Sequence, residues 1–266
     1  MKSIIITAVK NKAAVQTMAR GIIVSFLGMF VMACSGCGGG GGGSSASPVD
    51  TSMPPKPVAI TAEGDSTMMG LQRVDGAYVT TTNSAPAILQ AKLQASLGSS
   101  VTVENHGIGG TTICQRINGT APYTLTLAQE LSTDQSKIVL GNWLINDSSD
   151  QSTETPTQYQ QCWEQFVDTV RAAGKIPLIE EPNPVIGSVF SASDPTVYQN
   201  FPNYLSIMRS VAQAKGVTLI AQYDYIQTVP NWQGMLTDGV HPSDALYTIK
   251  AQREYEVLQP IVKQLQ

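Results

Sequence analysis

Histidine is nearly absent from this chain: His106 and His241 are the only two in 266 residues. A metal centre would need more histidine or carboxylate partners at suitable spacing than the sequence offers, so no metal and no cofactor is expected. Clusters of lysine and arginine are missing too, and acidic residues outnumber basic ones 20 to 16. Four of the basic residues, Lys2, Lys10, Lys12 and Arg20, lie in the first stretch, leaving 12 against 20 and a net charge of −8 beyond it. An acidic chain without a basic patch is a poor candidate for nucleic-acid binding, and no such partner is expected. No internal repeat is visible, and the G-x-S-x-G nucleophile elbow does not occur.

What is present begins with an address. The four basic residues precede an apolar run, Gly21 to Ala33, that is short for a membrane span and in the range of a signal-peptide core. The run ends Val31-Met32-Ala33-Cys34, which resembles the lipobox of bacterial lipoproteins. In that pattern the cysteine is lipidated and becomes the new N-terminus; the alternative is a signal peptide cleaved elsewhere. Residues 34–57 are rich in Gly, Ser and Pro and read as a flexible tether, with no role assigned to Cys37. The expected organisation is therefore a signal peptide over 1–33, a tether over 34–57 and one domain over 58–266. A lipid anchor at Cys34 makes the membrane a partner. With Ser35 following, the outer membrane of a Gram-negative envelope is the expected location.

The domain alternates strand and helix. Val58 to Ala62 has strand character, and Asn83 to Leu97 reads as a helix capped by Asn83 or Ser84 and stopped by Gly98. Val101 to Asn105, Lys137 to Ile145, Ile176 to Ile179 and Val217 to Gln222 read as strands. Helices are expected over Tyr123 to Leu131, Thr157 to Ala173, Tyr198 to Lys215 and Asp244 to Gln264. About five alternations argue a parallel sheet covered on both faces, in which sites form at the carboxyl ends of the strands.

Chemistry-bearing residues stand at those ends. The first strand delivers Gly64-Asp65-Ser66, which is either an ordinary turn or an exposed nucleophile. The second delivers Asn105-His106-Gly107-Ile108-Gly109-Gly110-Thr111, glycine-rich but without the lysine and spacing of a P-loop. The third ends Leu144-Ile145-Asn146-Asp147, and Asp238-Gly239-Val240-His241-Pro242 precedes the last helix. His241 is open to three readings: a structural histidine, a metal ligand, or a general base oriented by Asp238.

These four blocks, in this order, resemble the SGNH hydrolases of the broader GDSL esterase and lipase group. The resemblance covers nearly the whole domain. It departs at Thr67, where many members have Leu, and at Leu144, where the third block usually has Gly. It implies a flavodoxin-like three-layer α/β/α sandwich with a parallel five-stranded sheet. It also implies a serine esterase in which Ser66 is the nucleophile, His241 the base and Asp238 its orienting carboxylate. The oxyanion hole would be formed by the backbone N–H groups of Ser66 and Gly110 and the side-chain amide of Asn146. Asp65, Asn105 and Asp147 are expected to brace turns, and His106 to be structural or at the rim for want of an adjacent acidic partner.

The implied substrate is an acyl ester of a glycan, a lipid or a small alcohol. Met68, Met69, Trp143 and Leu144 would either line an acyl pocket or belong to the core. The loops over Ser148 to Thr157 and Pro182 to Val197 would set specificity. A surface acyltransferase and an idle envelope-binding lipoprotein are the alternatives. Export to an oxidising compartment predicts a Cys114–Cys162 disulfide that braces the oxyanion loops, against two buried free cysteines. A monomer is expected.

Overall fold

The computed structural model describes residues 54–266. The expectations for the leader, Cys34, Cys37 and most of the tether lie outside the described residues.

Five parallel strands form the central sheet: β1 (Val58–Gly64), then β4 (Val101–Asn105), β5 (Ile138–Asn142), β6 (Ile176–Glu180) and β7 (Thr218–Ile220). Their spatial order is β4-β1-β5-β6-β7, so β5 is the central strand, with β1 and β6 on either side. A separate antiparallel hairpin, β2 (Leu71–Val74) and β3 (Ala77–Thr80), follows the first strand.

The alternation of side chains along each strand divides the core in two. Val58, Ile60, Ala62, Ile138, Leu140 and Leu178 point to one face, where they meet Leu89 and Leu93 of α2 (Ala85–Leu97). Leu258 and Val262 of the last helix, Asp244–Leu265, join them there. Val139 and Ile179 point to the other face, against Trp163, Phe166, Val167 and Val170 of the Pro156–Ala172 helix and Leu205 and Met208 of the Phe201–Lys215 helix. The result is the three-layer α/β/α sandwich.

The remaining helices are short. In chain order they are α1 (Ser66–Met69), α3 (Ile113–Asn118), α4 (Leu127–Leu131), α6 (Gly187–Phe190) and α8 (Tyr223–Gln227). The three long ones after α2 are accordingly α5 (Pro156–Ala172), α7 (Phe201–Lys215) and α9 (Asp244–Leu265).

Several boundaries move from their sequence positions. The helix expected from Tyr123 starts at Leu127, because Thr126 and Gln129 form a capping box there. The strand expected to run to Ile145 stops at Asn142. The Asn142 amide donates to the carbonyls of Glu180 and Glu181 at the end of the neighbouring strand. Trp143, Leu144 and Ile145 then turn into the core. Trp143, Leu144 and Met68 are almost wholly inaccessible, so these three are core and not an acyl pocket.

Candidate active site

Ser66 is the first residue of α1, and Asp65 is its N-cap. The Asp65 carboxylate accepts from the Thr67 N–H at 2.8 Å and the Thr67 hydroxyl at 2.9 Å, fixing the turn that lifts Ser66 off the strand end. Gly64 is required just before it. A Cβ there would lie 2.6 Å from both the Asn142 carbonyl oxygen and the Met68 Cβ.

His241 reaches this serine from the other end of the chain, Nε2 to Oγ at 3.0 Å. Its other ring nitrogen, Nδ1, lies 2.8 Å from Asp238 Oδ2. Asp238 Oδ1 accepts the backbone N–H groups of Val240 and His241, so the carboxylate is gripped on both oxygens. Burial pushes the Asp238 carboxyl up, but the hydrogen bonds from the His241 ring and backbone outweigh it and bring it down to about 2. Near neutral pH Asp238 is therefore an acceptor only. It selects the Nδ1–H tautomer and leaves Nε2 free to accept the Ser66 proton. The loop needs Gly239, which has φ +88° and where a Cβ would lie 2.8 Å from the Ile186 carbonyl oxygen. The Ile186 N–H donates to the Gly239 carbonyl at 2.7 Å, tying the 182–197 loop to this turn.

Ser66 also has a glycine-rich wall. A Cβ on Gly109 would sit 3.6 Å from the Ser66 Cβ, so the second block runs alongside the serine. Gly110, next in line, has φ +76°, a conformation glycine adopts freely. Asn146 donates from Nδ2 to the Thr111 carbonyl at 3.0 Å, which uses one of its two amide hydrogens. Asn142, by contrast, is fully buried and spends its amide on Glu180 and Glu181 while its Oδ1 accepts from Thr67. Of the two asparagines, only Asn146 keeps a donor to offer. Asn105 and Asp147 brace turns: Asn105 bonds the Met68 carbonyl and the Gly107 N–H, and Asp147 accepts from the Ile113 N–H. A disulfide joins Cys114 of α3 to Cys162 of α5, with the Cα atoms 5.3 Å apart.

His106 departs from its expected isolation. Its Nδ1 lies 3.0 Å from Glu130 and 3.5 Å from Glu63, and its Nε2 lies 3.6 Å from Glu104. The carboxylates come from three different elements: the β4-β1 pairing brings Glu104 and Glu63 together, and α4 supplies Glu130. The hydrogen bond to Glu63 and the nearby charges outweigh partial burial and raise His106 to about 9. Glu63, His106 and Glu130 offer possible ligand atoms within 4.8 Å of one another. Arg116 already binds both Glu63 oxygens and reaches Glu130, so with a protonated His106 the charges of Glu63 and Glu130 are matched.

The model of the GDSL-like lipase/acylhydrolase family matches residues 62–249, from the first strand into the last helix. The chain belongs to this family. The match spans all four blocks, and this membership makes the protein an esterase. No curated protein matches the sequence. Among solved structures, a carbohydrate acetylesterase from Sinorhizobium meliloti is similar at TM-score 0.60 and 13% identity, over 77% of this chain and 99% of that one. An aryl esterase from M. smegmatis gives 0.62 and 16%, over 76% and 99%. A peptidoglycan O-acetylesterase gives 0.62 and 12%, over 79% and 92%. At these identities the likeness is one of fold.

Proposed function

We propose that this esterase removes an acetyl or other short acyl group from a glycan or small ester by a Ser-His-Asp mechanism. The observation that carries this reading is the unbroken chain of contacts Ser66 Oγ, His241 Nε2, His241 Nδ1, Asp238 Oδ2, at 3.0 and 2.8 Å. A serine hydroxyl is a weak nucleophile until a base takes its proton. In this reading His241 Nε2 takes that proton as Ser66 Oγ bonds to the ester carbon. The carbonyl π electrons move to oxygen, and the resulting oxyanion is met by the Ser66 and Gly110 N–H groups and the free Asn146 amide hydrogen. Collapse reforms the carbonyl and breaks the bond to the alcohol oxygen, which receives the proton from Nε2. Water then repeats the sequence on the acyl-serine and returns the free acid. Asp238 keeps its charge throughout and stabilises the imidazolium.

The acetyl preference is supported by two structural neighbours that are acetylesterases, one of carbohydrate and one of peptidoglycan. The lipobox-like Val31 to Cys34 segment and the glycine tether support a lipid-anchored protein of the cell envelope. The deciding experiment is a panel of acyl esters and acetylated glycans, with the Ser66→Ala protein as blank. Turnover of short acyl esters that vanishes in the blank supports the reading. Transfer of the acyl group to an added alcohol in preference to water would replace it with an acyltransferase.

A further inference from the structure

The β2–β3 hairpin stands outside the sheet, directly after the serine helix. Its turn residues Asp75 and Gly76 both have positive φ, 50° and 82°, as a two-residue hairpin loop requires. Its base is clamped. The Arg73 N–H donates to the Thr237 hydroxyl at 3.0 Å, next to Asp238. The Tyr247 hydroxyl donates to the Leu71 carbonyl, and Gln72 and Thr81 both donate to Asp244. The hairpin is thus fixed to the two segments that flank His241.

From this platform Tyr78 reaches the catalytic ring. Its centroid is 5.5 Å from that of His241, with the planes at 74°, yet half of the residue is open to solvent. Arg73, its cross-strand partner in register, places a guanidinium 6.0 Å from the tyrosine centroid. A large aromatic side chain left this open beside a buried Ser66 and His241 has a free surface at the mouth of the site.

Resting on the esterase reading above, we propose that Tyr78 determines specificity for the alcohol half of the ester, its open ring surface taking the pyranose ring of an acetylated sugar. The leaving oxygen must come within hydrogen-bond reach of His241 Nε2 to receive its proton, so the alcohol half passes the imidazole against which Tyr78 packs edge-on. The hairpin face that carries Tyr78 also carries Arg73 and Thr80, which suit hydroxyl groups. Val74 and Val79 point from the opposite face by strand alternation, which leaves Leu71 as the one aliphatic residue of the hairpin on the Tyr78 side, too short a track for a long alkyl alcohol. A pyranose, with one C–H face and a polar rim, matches both halves of this surface.

The test compares peracetylated glucose with ethyl acetate, for the parent and for Tyr78→Ala and Tyr78→Trp. In Tyr78→Ala the ratio of kcat/KM values, sugar ester over ethyl ester, should fall about tenfold through a rise in KM. Tyr78→Trp should keep the preference. Equal loss on both esters would overturn the proposal, since Tyr78 would then act through His241. An unchanged ratio would overturn it as well. Binding of peracetylated glucose to the Ser66→Ala protein, with and without Tyr78→Ala, reads the same contact without turnover. Weaker binding with Tyr78→Ala supports the proposal even if the parent hydrolyses neither ester, an outcome that would sink the acetyl-ester reading alone. Undiminished binding overturns the proposal.

Discussion

Arg116 holds Glu63 by two parallel hydrogen bonds, Nε to Oε2 at 2.8 Å and Nη2 to Oε1 at 2.9 Å, with both side chains out of solvent. Glu63 is three residues before Ser66, so this pair fixes the end of β1 that leads into the nucleophile turn. Burial alone would push the Glu63 carboxyl up, but the hydrogen bonds from His106 and Arg116 outweigh it and hold it below its usual value. Arg116→Met strands that charge. Stability should fall by about 3–5 kcal/mol in urea denaturation, the range for breaking a buried pair from one side. The Glu63→Gln/Arg116→Met double variant should lose less than the sum of its singles. A loss under about 1 kcal/mol for Arg116→Met would mean that the pair contributes little and that His106 alone neutralises Glu63.

His106 gives the fold a pH dependence of opposite sign to that of Asp238. Its pKa is raised from 6.5 to about 9 in the folded chain, so its protonated form is favoured by folding. That stabilisation is complete below about pH 6.5 and is lost as pH rises through about 9. Asp238, lowered to about 2, contributes stability that is present above its ordinary 3.8 and lost as pH falls through about 2. Thermal melts taken from about pH 6 to about pH 10 should show a falling Tm in the parent and a flatter profile in His106→Gln. Parallel profiles would show that the His106 cluster is not the source.

Asn146 and Asn142 should separate by the kind of damage each variant does. Asn146→Ala removes the side-chain amide that retains a free hydrogen, so kcat should drop by roughly 10²–10³ with little change in KM. Asn142→Ala leaves the Glu180 and Glu181 carbonyls and the Thr67 hydroxyl without their buried partner, at a cost of about 1–3 kcal/mol in stability. Steady-state kinetics beside a denaturation curve for each variant checks both halves. A drop in kcat confined to Asn142→Ala would move the oxyanion donor there.

Strand and helix order could be read from the sequence because apolar spacing and glycine stops mark the long elements. Leu89 and Leu93, or Trp163, Phe166 and Val170, lie at intervals that only a helix turns to one face. The hairpin was missed although its Asp75-Gly76 pair is a strong turn signal, because its strands are only four residues each and largely exposed. Helix α3 was missed for a similar reason: it has six residues, and only the Thr112–Gln115 capping box marks its start. The His106 cluster is different in kind. Glu63 meets His106 through the lateral pairing of β1 with β4, and Arg116 and Glu130 come from α3 and α4, an arrangement that local sequence spacing does not encode. Leu144, where the family pattern usually has Gly, places its side chain in the core on the α5 side.

The most direct measurement of whether Ser66 is an activated nucleophile is the rate and position of labelling by a fluorophosphonate, read by peptide mass spectrometry. The parent should carry one adduct, on the peptide containing Ser66, and His241→Ala should react at least about 10²-fold more slowly because the base is gone. An adduct on a different residue, or labelling of Ser66 that is equally fast without His241, would contradict the assignment.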